Sequence, residues 1–263
     1  MLYEKKPGVP RFECTRYGEK KNDYIVLIPI INEGERIITE LKRAKEHNIS
    51  GFADIVICDG GSTDGSTEDE ILKSLDVNAL LVKKDEGKQG AQLRMGIWWA
   101  LENGYKGIIT IDGNNKDSIE DIPSFIAKLE EGFDLIQGSR FIKGGHAENT
   151  PFVRWLAVRL LHAPVISLTA HQKFTDTTNA YRGYSRRYLE DERVQPLRDI
   201  FMTYELLAYL SVRATQIGMK ACEIPVSRVY PAKEKTPTKI SFFKGNGNLL
   251  KILFRNARGR YNP

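Results

Sequence analysis

The stretches "VICDGGSTDGS" (residues 56–66) and "ITIDGNNKD" (residues 109–117) decide the predicted fold. In each, an apolar run ends at an aspartate that a glycine follows, at Asp59 and at Asp112. Asp and Gly are favoured in turns, so each pair could simply begin a turn. If both runs are parallel strands of one sheet, the two carboxylates meet at the sheet edge where such folds bind ligands. The two aspartates are therefore either turn residues or two sides of one binding site.

Apolar segments of strand length alternate with helical segments through the first half of the chain. The predicted strands cover residues 24–30, 53–58, 79–82, 107–111 and 133–139. Continuous runs such as "YIVLIPI" are typical of strands that are buried on both faces. Amphipathic helices are predicted between the strands, most clearly over residues 90–103 and 118–132. This alternation indicates βαβ units and a mostly parallel sheet in an α/β fold.

The pattern changes after about residue 145. The later elements are predicted to be helices over 151–168 and 201–218, a strand over 220–230, and a basic amphipathic segment over 240–256. We predict one domain in three parts. An extended lead-in covers residues 1–22, a nucleotide-binding half covers residues 23–145, and residues 146–263 handle a second substrate.

Composition limits the classes of function. The chain of 263 residues has 41% apolar and 28% charged residues, which is ordinary for a globular protein. Its net charge of +5 does not by itself indicate a nucleic-acid partner. Basic residues nevertheless outnumber acidic ones between Lys233 and Arg260, which suits phosphate or a lipid surface unless this is only a solvated tail.

The cysteines and the start of the chain indicate a cellular location. Three widely spaced cysteines without a CxxC pair favour a reducing compartment. The histidines show no metal-ligand spacing, and the first residues lack the apolar region of a signal peptide. No run reaches about 18 uninterrupted apolar residues, so a membrane-spanning helix is not expected. A cytoplasmic protein that contacts the membrane at most peripherally is the prediction.

Six stretches along the chain carry a resemblance to a known family. They are "IPIINEGERI" (28–37), "DGGSTDGS" (59–66), "IDGNNKDSIEDIP" (111–123), "GSRF" (138–141), "DTTNAYRGYSR" (176–186) and "EIPVSRV" (223–229). In this order they resemble the family 2 glycosyltransferases, and within these the dolichol phosphate mannose synthase-like group. The resemblance covers roughly residues 24–254. It implies a GT-A (Rossmann-like) sheet flanked by helices, with acceptor-side helices after residue 146, and inverting transfer of a sugar from a nucleoside diphosphate.

The resemblance assigns the donor nucleotide to the ends of the first strands. Pro29, Asn32 and Glu33 would lie against the base and ribose, although Asn32 could also cap the following helix. Asp59 would accept hydrogen bonds from the ribose or base. Lys88 would face phosphate from a glycine-flanked loop, unless it is an ordinary surface lysine at a helix start.

A divalent cation would be held after the fourth strand. Relatives carry an Asp-x-Asp motif that holds Mg²⁺ or Mn²⁺ against the diphosphate, and here the motif is Asp112-Gly113-Asn114. The Asn114 carbonyl can bind a hard cation without a formal charge, so weaker metal binding is expected. Lys116 stands where a neutral polar residue is usual and could neutralise phosphate. Asp117 could supply a carboxylate in place of Asn114.

The resemblance assigns the remaining residues to phosphate or to the acceptor. Arg140 would fork onto phosphate, unless it forms an ion pair at the strand end. Asp176 would border the acceptor side of the donor sugar in a catalytic role, unless it only caps a turn, and Arg182 belongs to the same stretch. Lys239 would belong to a loop that closes over phosphate. Glu205 would be a general base for a hydroxyl acceptor.

The acceptor is left open by the sequence. A polyprenyl (dolichyl-type) phosphate is the first choice, because it is already anionic and needs no base. A glycan or glycolipid hydroxyl in surface polysaccharide synthesis is the second choice. A non-catalytic sugar-nucleotide-binding subunit is the third, because Asn114 weakens the metal site. A sugar nucleotidyltransferase is disfavoured, since "IPIINEGE" lacks a glycine- and arginine-rich triphosphate loop.

Overall fold

The computed structural model describes residues 1–231 and 242–263, with side chains in the second part from residue 247. Lys239 lies outside the described residues. In chain order the elements are β1 (Leu2–Tyr3), β2 (Phe12–Arg16), β3 (Tyr24–Ile30), α1 (Glu35–Glu46), β4 (Asp54–Asp59), α2 (Asp69–Ser74), β5 (Val77–Lys83), α3 (Gln89–Glu102), β6 (Gly107–Thr110), α4 (Ile122–Glu130), β7 (Leu135–Ser139), β8 (His146–Glu148), α5 (Phe152–Ala157), α6 (Ala163–Ala170), β9 (Arg182–Ser185), α7 (Arg186–Glu190), α8 (Glu205–Gln216), β10 (Ala221–Pro225), β11 (Ser227–Val229) and α9 (Phe242–Ala257). A π-helical turn, Val158–His162, joins α5 to α6.

The central sheet has the strand order β1-β2-β5-β4-β3-β6-β9-β7-β10. Strands β5, β4, β3 and β6 run parallel to one another. Strand β9 lies antiparallel between β6 and β7, and β10 pairs in parallel with β7. The prediction of a mostly parallel α/β sheet flanked by helices is confirmed.

The apolar run of β3 explains why the sheet carries helices on both faces. Ile25 and Leu27 are fully buried in one hydrophobic core, with residues of α3 and α8. Val26 and Ile28 alternate with them and are fully buried in a second core, with residues of α1 and α4. Because successive side chains of a strand point to opposite faces, such a run requires cover on both sides.

Three segments differ from the elements that the sequence predicted. Strand β9 lies within a stretch that was predicted to border the acceptor, and its short "RGYS" sequence shows little strand pattern. The predicted strand over 220–230 is two strands, because β10 pairs with β7 whereas β11 pairs with β8 in a separate small sheet. The lead-in over 1–22 supplies β1 and β2, and β2 pairs with β5.

The helix predicted over 201–218 begins only at Glu205, because the preceding residues cover the start of α3. The Lys88 amide donates to the Met202 carbonyl at 2.8 Å. A Cβ atom on Gly90 would lie 2.6 Å from the Phe201 carbonyl oxygen, so only glycine permits this approach. The contact brings the start of α8 beside the start of α3.

The carboxyl ends of β3, β4 and β6 form the edge that carries the candidate site. Gln92 of α3 is buried and donates from its Nε2 to the carbonyls of Ile30, at 2.6 Å, and Cys58, at 2.8 Å. The Gly60 amide also donates to the Ile30 carbonyl, at 2.9 Å. Helix α3 therefore holds the ends of β3 and β4 together.

Candidate active site

Asp59 is the last residue of β4, and its carboxylate closes the turn that follows. Both carboxylate oxygens accept the Ser62 amide, at 2.8 and 3.1 Å, and one accepts the Ser62 hydroxyl at 2.6 Å. Asp59 is 2% exposed. It therefore acts as the turn residue that its sequence allows, at the sheet edge where a ligand is also expected.

The loops after β3 and β4 are tied to each other by side chains. The Asn32 carbonyl oxygen accepts the Thr63 amide at 2.8 Å, and the Asp64 carboxylate accepts the Gly34 amide at 2.8 Å. Gly34 is the residue before α1, so the prediction that Asn32 caps this helix is wrong. Asn32 has a φ of 49°, and its side chain reaches across to the other loop instead of to its own helix.

The other predicted residues of the donor side lie at the same edge. Pro29 pairs with Cys58 within the sheet, and Glu33 forms an ion pair with Arg36 at 2.8 Å. Lys88 is exposed at the residue before α3, which agrees with both interpretations of this lysine. The predicted donor residues therefore lie near one another, and the two loops after β3 and β4 are tied together.

Asp112 follows β6 at this edge, on the other side of β3 from Asp59. Strand β3 pairs with both β4 and β6, so two strand spacings of about 10 Å in total separate their carboxyl ends. One Asp112 oxygen accepts the Gln89 amide at 3.0 Å, and the other faces the Asn114 amide at 3.4 Å. The tertiary structure therefore brings the two aspartates to one edge, with α3 contacting both loops.

Arg228 of β11 contacts both Asp112 and Asp117. Its guanidinium donates to the Asp117 carboxylate through Nη1 and lies 3.4 Å from Asp112 through Nη2. Asp117 is fully buried, and burial raises its pKa to about 6 although Arg228 opposes this. The Asp117 carboxylate is thus engaged with Arg228. Sequence analysis gave Arg228 no role, although it lies in the matching stretch "EIPVSRV".

Four cationic side chains gather around Tyr230. Its hydroxyl accepts Arg154 at 3.1 Å and Arg228 at 3.3 Å, and the Lys116 ammonium lies 5.2 Å from its ring centre. Burial alone would raise the pKa of Tyr230, but Arg228, Arg154 and Arg140 outweigh burial and lower it. Burial and Arg228 lower the pKa of Lys116. This group, called the cationic cluster below, is suited to an anion.

Arg140 and Asp176 form a buried bidentate ion pair. Nε and Nη2 of Arg140 donate to the two carboxylate oxygens at 2.6 and 2.8 Å, and Asp176 is fully buried. The third nitrogen, Nη1, is buried without a hydrogen-bond partner in residues 1–231 and 242–263. The two residues that the sequence assigned separately to phosphate and to the acceptor are therefore partners.

Arg182 and Glu205 are engaged within the protein. Arg182 is buried in the core, where it donates to the carbonyl of Leu207 and to Ser211 Oγ at 2.7 Å. The Glu205 carboxylate accepts the Thr203 amide at 2.6 Å and the Thr203 hydroxyl at 2.8 Å. Arg182 therefore fastens α8 to β9, and Glu205 closes the turn at the start of α8.

The oxygens beside Asp112 fit a divalent cation. The part of the chain that the structure describes holds no group of three His, Cys, Asp or Glu side chains suited to a metal. Asn114 Oδ1, however, is buried and accepts no hydrogen bond from the described residues. Mg²⁺ is commonly bound through one or two protein oxygens plus substrate phosphates. Asp112 and Asn114 can supply those protein oxygens.

Comparison with known proteins agrees with the predicted fold. A family model described as Glycosyl transferase family 2 matches residues 25–193. The solved structure of glucosyl-3-phosphoglycerate synthase from Mycobacterium tuberculosis, in complex with Mn²⁺, UDP and phosphoglyceric acid, superimposes with a TM-score of 0.63 at 14% identity. The match covers 90% of this chain and 78% of that one. This likeness confirms the GT-A fold.

Two curated relatives match most of the chain. Polyprenol monophosphomannose synthase of Mycolicibacterium smegmatis is 25% identical over 90% of this chain and 88% of its own length. Undecaprenyl-phosphate mannosyltransferase of Micrococcus luteus is 25% identical over 78% of this chain and 83% of its own. The names of both relatives describe sugar transfer involving a polyprenyl phosphate.

The buried pair of Asp117 and Arg228 gives a stability prediction. Asp117→Asn should lower the free energy of unfolding by roughly 3 kcal/mol, because it leaves the Arg228 charge buried with weaker compensation. Urea unfolding followed by circular dichroism measures this change. The control Asp23→Asn breaks a solvent-exposed ion pair with Lys106 and should leave the unfolding midpoint unchanged. Equal midpoints for all three proteins would contradict the importance of the buried pair.

Proposed function

The chain belongs to glycosyl transferase family 2, and from this premise we propose that it moves a sugar from a nucleoside diphosphate sugar to a polyprenyl phosphate, with inversion at the anomeric carbon. The proposed setting is the cytoplasmic face of a membrane. The names of the two curated relatives support the acceptor class. Within the molecule, the proposal depends on one observation, the cationic cluster beside Asp112.

The cationic cluster suits a reaction between two anionic reactants. A nucleoside diphosphate leaves and a lipid phosphate attacks, so both sides of the transferred sugar carry negative charge. Arg228 contacts Asp112, whereas Arg154 extends from α5 to the Tyr230 hydroxyl. Guanidinium groups bind phosphate through paired N–H donors. We assign Arg154 to the acceptor phosphate, whereas Arg228, whose three nitrogens donate to Tyr230, Asp117 and Asp112, adds positive charge near the diphosphate.

The donor is assigned to the edge between Asp59 and Asp112. Asp59 and the tied loops that carry Asn32 and Glu33 would contact the nucleoside. Asp112 and Asn114 would hold a divalent cation, Mg²⁺ or Mn²⁺, which when bound stabilises the charge of the departing diphosphate. The Mn²⁺ and UDP in the complex of the structural relative support this assignment. Lys116 would add positive charge from the same loop.

The geometry favours a phosphate acceptor over a hydroxyl. In the transfer, an acceptor phosphate oxygen forms a bond to the anomeric carbon while the bond to the diphosphate breaks. A phosphate is already anionic at neutral pH, so no side chain has to remove a proton. The candidate base Glu205 is engaged with Thr203, and the nearby carboxylate of Asp176 is paired with Arg140. These contacts support an acceptor that needs no general base.

The helical segment Phe152–Ala170 is proposed to lie in the membrane interface. By length and composition alone it could cross a membrane, and most of it is not buried. Leu160 is 70% and Leu168 77% exposed, while Arg154 turns inward to Tyr230 and Arg159 lies over the Phe141 ring at 5.3 Å. These inward contacts fasten the helix to the domain and favour a position in the plane of the interface.

Arg154 tests the acceptor assignment. With the donor identified from a panel of UDP- and GDP-sugars, Arg154→Leu should raise the KM for a short-chain polyprenyl phosphate in detergent by about tenfold or more, because a charge-assisted hydrogen bond is lost. The KM for the donor should stay unchanged. Steady-state kinetics measure both constants, with Arg193→Leu as the charge-matched control. A change in the donor KM alone would contradict the assignment.

Glu205 separates the two classes of acceptor. Glu205→Gln should keep its rate on polyprenyl phosphate within about twofold, because no base is required there. Product analysis by mass spectrometry should be run with polyprenyl phosphate and with glycolipid acceptors. If transfer occurs only to hydroxyl acceptors and the variant loses a factor of about 10² or more, Glu205 is a base and the acceptor proposal is wrong.

The exposed apolar helix gives a membrane-binding prediction. The double variant Leu160→Asp and Leu168→Asp should bind anionic phospholipid vesicles at least about tenfold more weakly, because burial of a leucine contributes about 1.5–3 kcal/mol. Vesicle flotation measures the binding. The control Phe52→Asp changes an exposed aromatic residue beyond α1 and should bind as the native chain does. Equal loss in both variants would exclude a specific membrane-facing helix.

A further inference from the structure

Glu40 of α1 is a buried carboxyl group next to the loop after β6, and it has no function in the reaction described above. It is fully buried in a helix whose neighbouring inward side chains, such as Ile37 and Leu41, are apolar. Its Oε2 accepts the Asn115 amide at 2.7 Å. Its Oε1 is buried without a partner among the described residues. An apolar side chain would fill this position at lower cost, so the carboxyl group calls for an explanation.

The contact with Asn115 fixes an unusual backbone conformation. Asn115 has a φ of 55°, in the left-handed region that non-glycine residues seldom adopt. Glu40 holds its backbone N–H, and Arg43, one turn later in α1, donates to its side-chain oxygen at 3.0 Å. Arg43 also donates to the Asp117 carbonyl at 3.3 Å. Helix α1 therefore binds the loop at two residues, Asn115 and Asp117.

The contacts of α1 with Asn115 also affect the preceding residue, Asn114. Asn114 is joined to Asn115, so the left-handed turn sets the direction in which Asn114 leaves the backbone. On its other side the loop is pressed against β3, where a Cβ on Gly113 would lie 2.5 Å from Ile30 Cγ2. With both neighbours fixed, Asn114 keeps its side chain next to Asp112, with Nδ2 3.4 Å from Asp112 Oδ2 and with Oδ1 buried without a partner among the described residues.

We propose that Glu40 is a positioning residue that sets the affinity of the Asp112–Asn114 loop for a divalent cation and its nucleoside diphosphate, by accepting the Asn115 amide. This rests on the proposed function, in which the loop holds such a cation. Burial raises the pKa of Glu40 well above its usual range, and Asp117 and Asp112 add to this effect. Glu40 therefore positions the loop through its hydrogen-bond-accepting oxygen and not through a negative charge.

Two substitutions separate the acceptor from the charge. Glu40→Gln keeps an acceptor oxygen of the same reach, whereas Glu40→Leu removes it and leaves an apolar side chain. Leu41→Ala is the matched control, since Leu41 is equally buried on the same helix but faces the apolar core. Glu40→Leu should fold, because it also removes an unpartnered polar atom.

The first measurement is amide hydrogen exchange of Asn115 in the ligand-free protein. The native chain and Glu40→Gln should protect this amide equally, and Glu40→Leu should exchange it at least about tenfold faster. The second is titration calorimetry of Mn²⁺ with UDP and with GDP. Glu40→Leu should weaken binding by about tenfold or more, while Glu40→Gln stays within about twofold.

Each of the other experimental outcomes would contradict a specific part of the proposal. Native affinity and protection in Glu40→Leu would overturn the positioning role. Glu40→Gln as weak as Glu40→Leu would mean that charge, and not the acceptor, matters. A loss of binding in Leu41→Ala as large as that in Glu40→Leu would reduce the effect to general destabilisation. If the native chain binds neither nucleotide with Mn²⁺, the metal loop and the proposed function fall together, whereas the first three outcomes leave the proposed function standing.

Discussion

The guanidinium of Arg228 is a buried charge, and the arrangement of the site follows from the need to compensate it. A buried cation without a partner costs several kcal/mol, so carboxylates must come to it. The fully buried Asp117 carboxylate accepts a hydrogen bond from Arg228, and Asp112 faces the same guanidinium from the sheet edge. Two aspartates from one loop and an arginine from a distant strand thus share a single electrostatic centre. This centre therefore links the loop after β6, which α1 also holds, to β11, which pairs with β8.

The site keeps a local excess of positive charge despite these pairs. Arg140 is neutralised by Asp176 and Arg228 by Asp117, while Arg154 and Lys116 meet the polar and aromatic surface of Tyr230. Asn114, two residues after Asp112, adds no negative charge at the same place. A site of this balance is suited to reactants that bring their own negative charge, as a sugar diphosphate and a lipid phosphate do.

Helix α5 connects this electrostatic centre to the surface of the molecule. Arg154 reaches inward to Tyr230 from a helix whose outer side chains, such as Phe152 and Val153, are mostly exposed. The same short segment therefore carries a hydrophobic surface and the arginine that we propose binds the acceptor phosphate. In the proposed function this spacing lets a lipid keep its chain in the membrane while its phosphate enters the cluster.

The sequence by itself determined the mostly parallel sheet and the edge that carries Asp59 and Asp112, because the apolar pattern of each strand is a local property and both aspartates follow the carboxyl ends of such strands. It also determined the family, since six motifs occur in one order. Only the tertiary structure decided that Arg140 belongs to Asp176, that Arg228 belongs to Asp117, and that Arg182 lies in the core. These charged residues look alike in the sequence. Their partners lie 36 and 111 residues away in the first two cases, and which charge is buried depends on where distant loops meet.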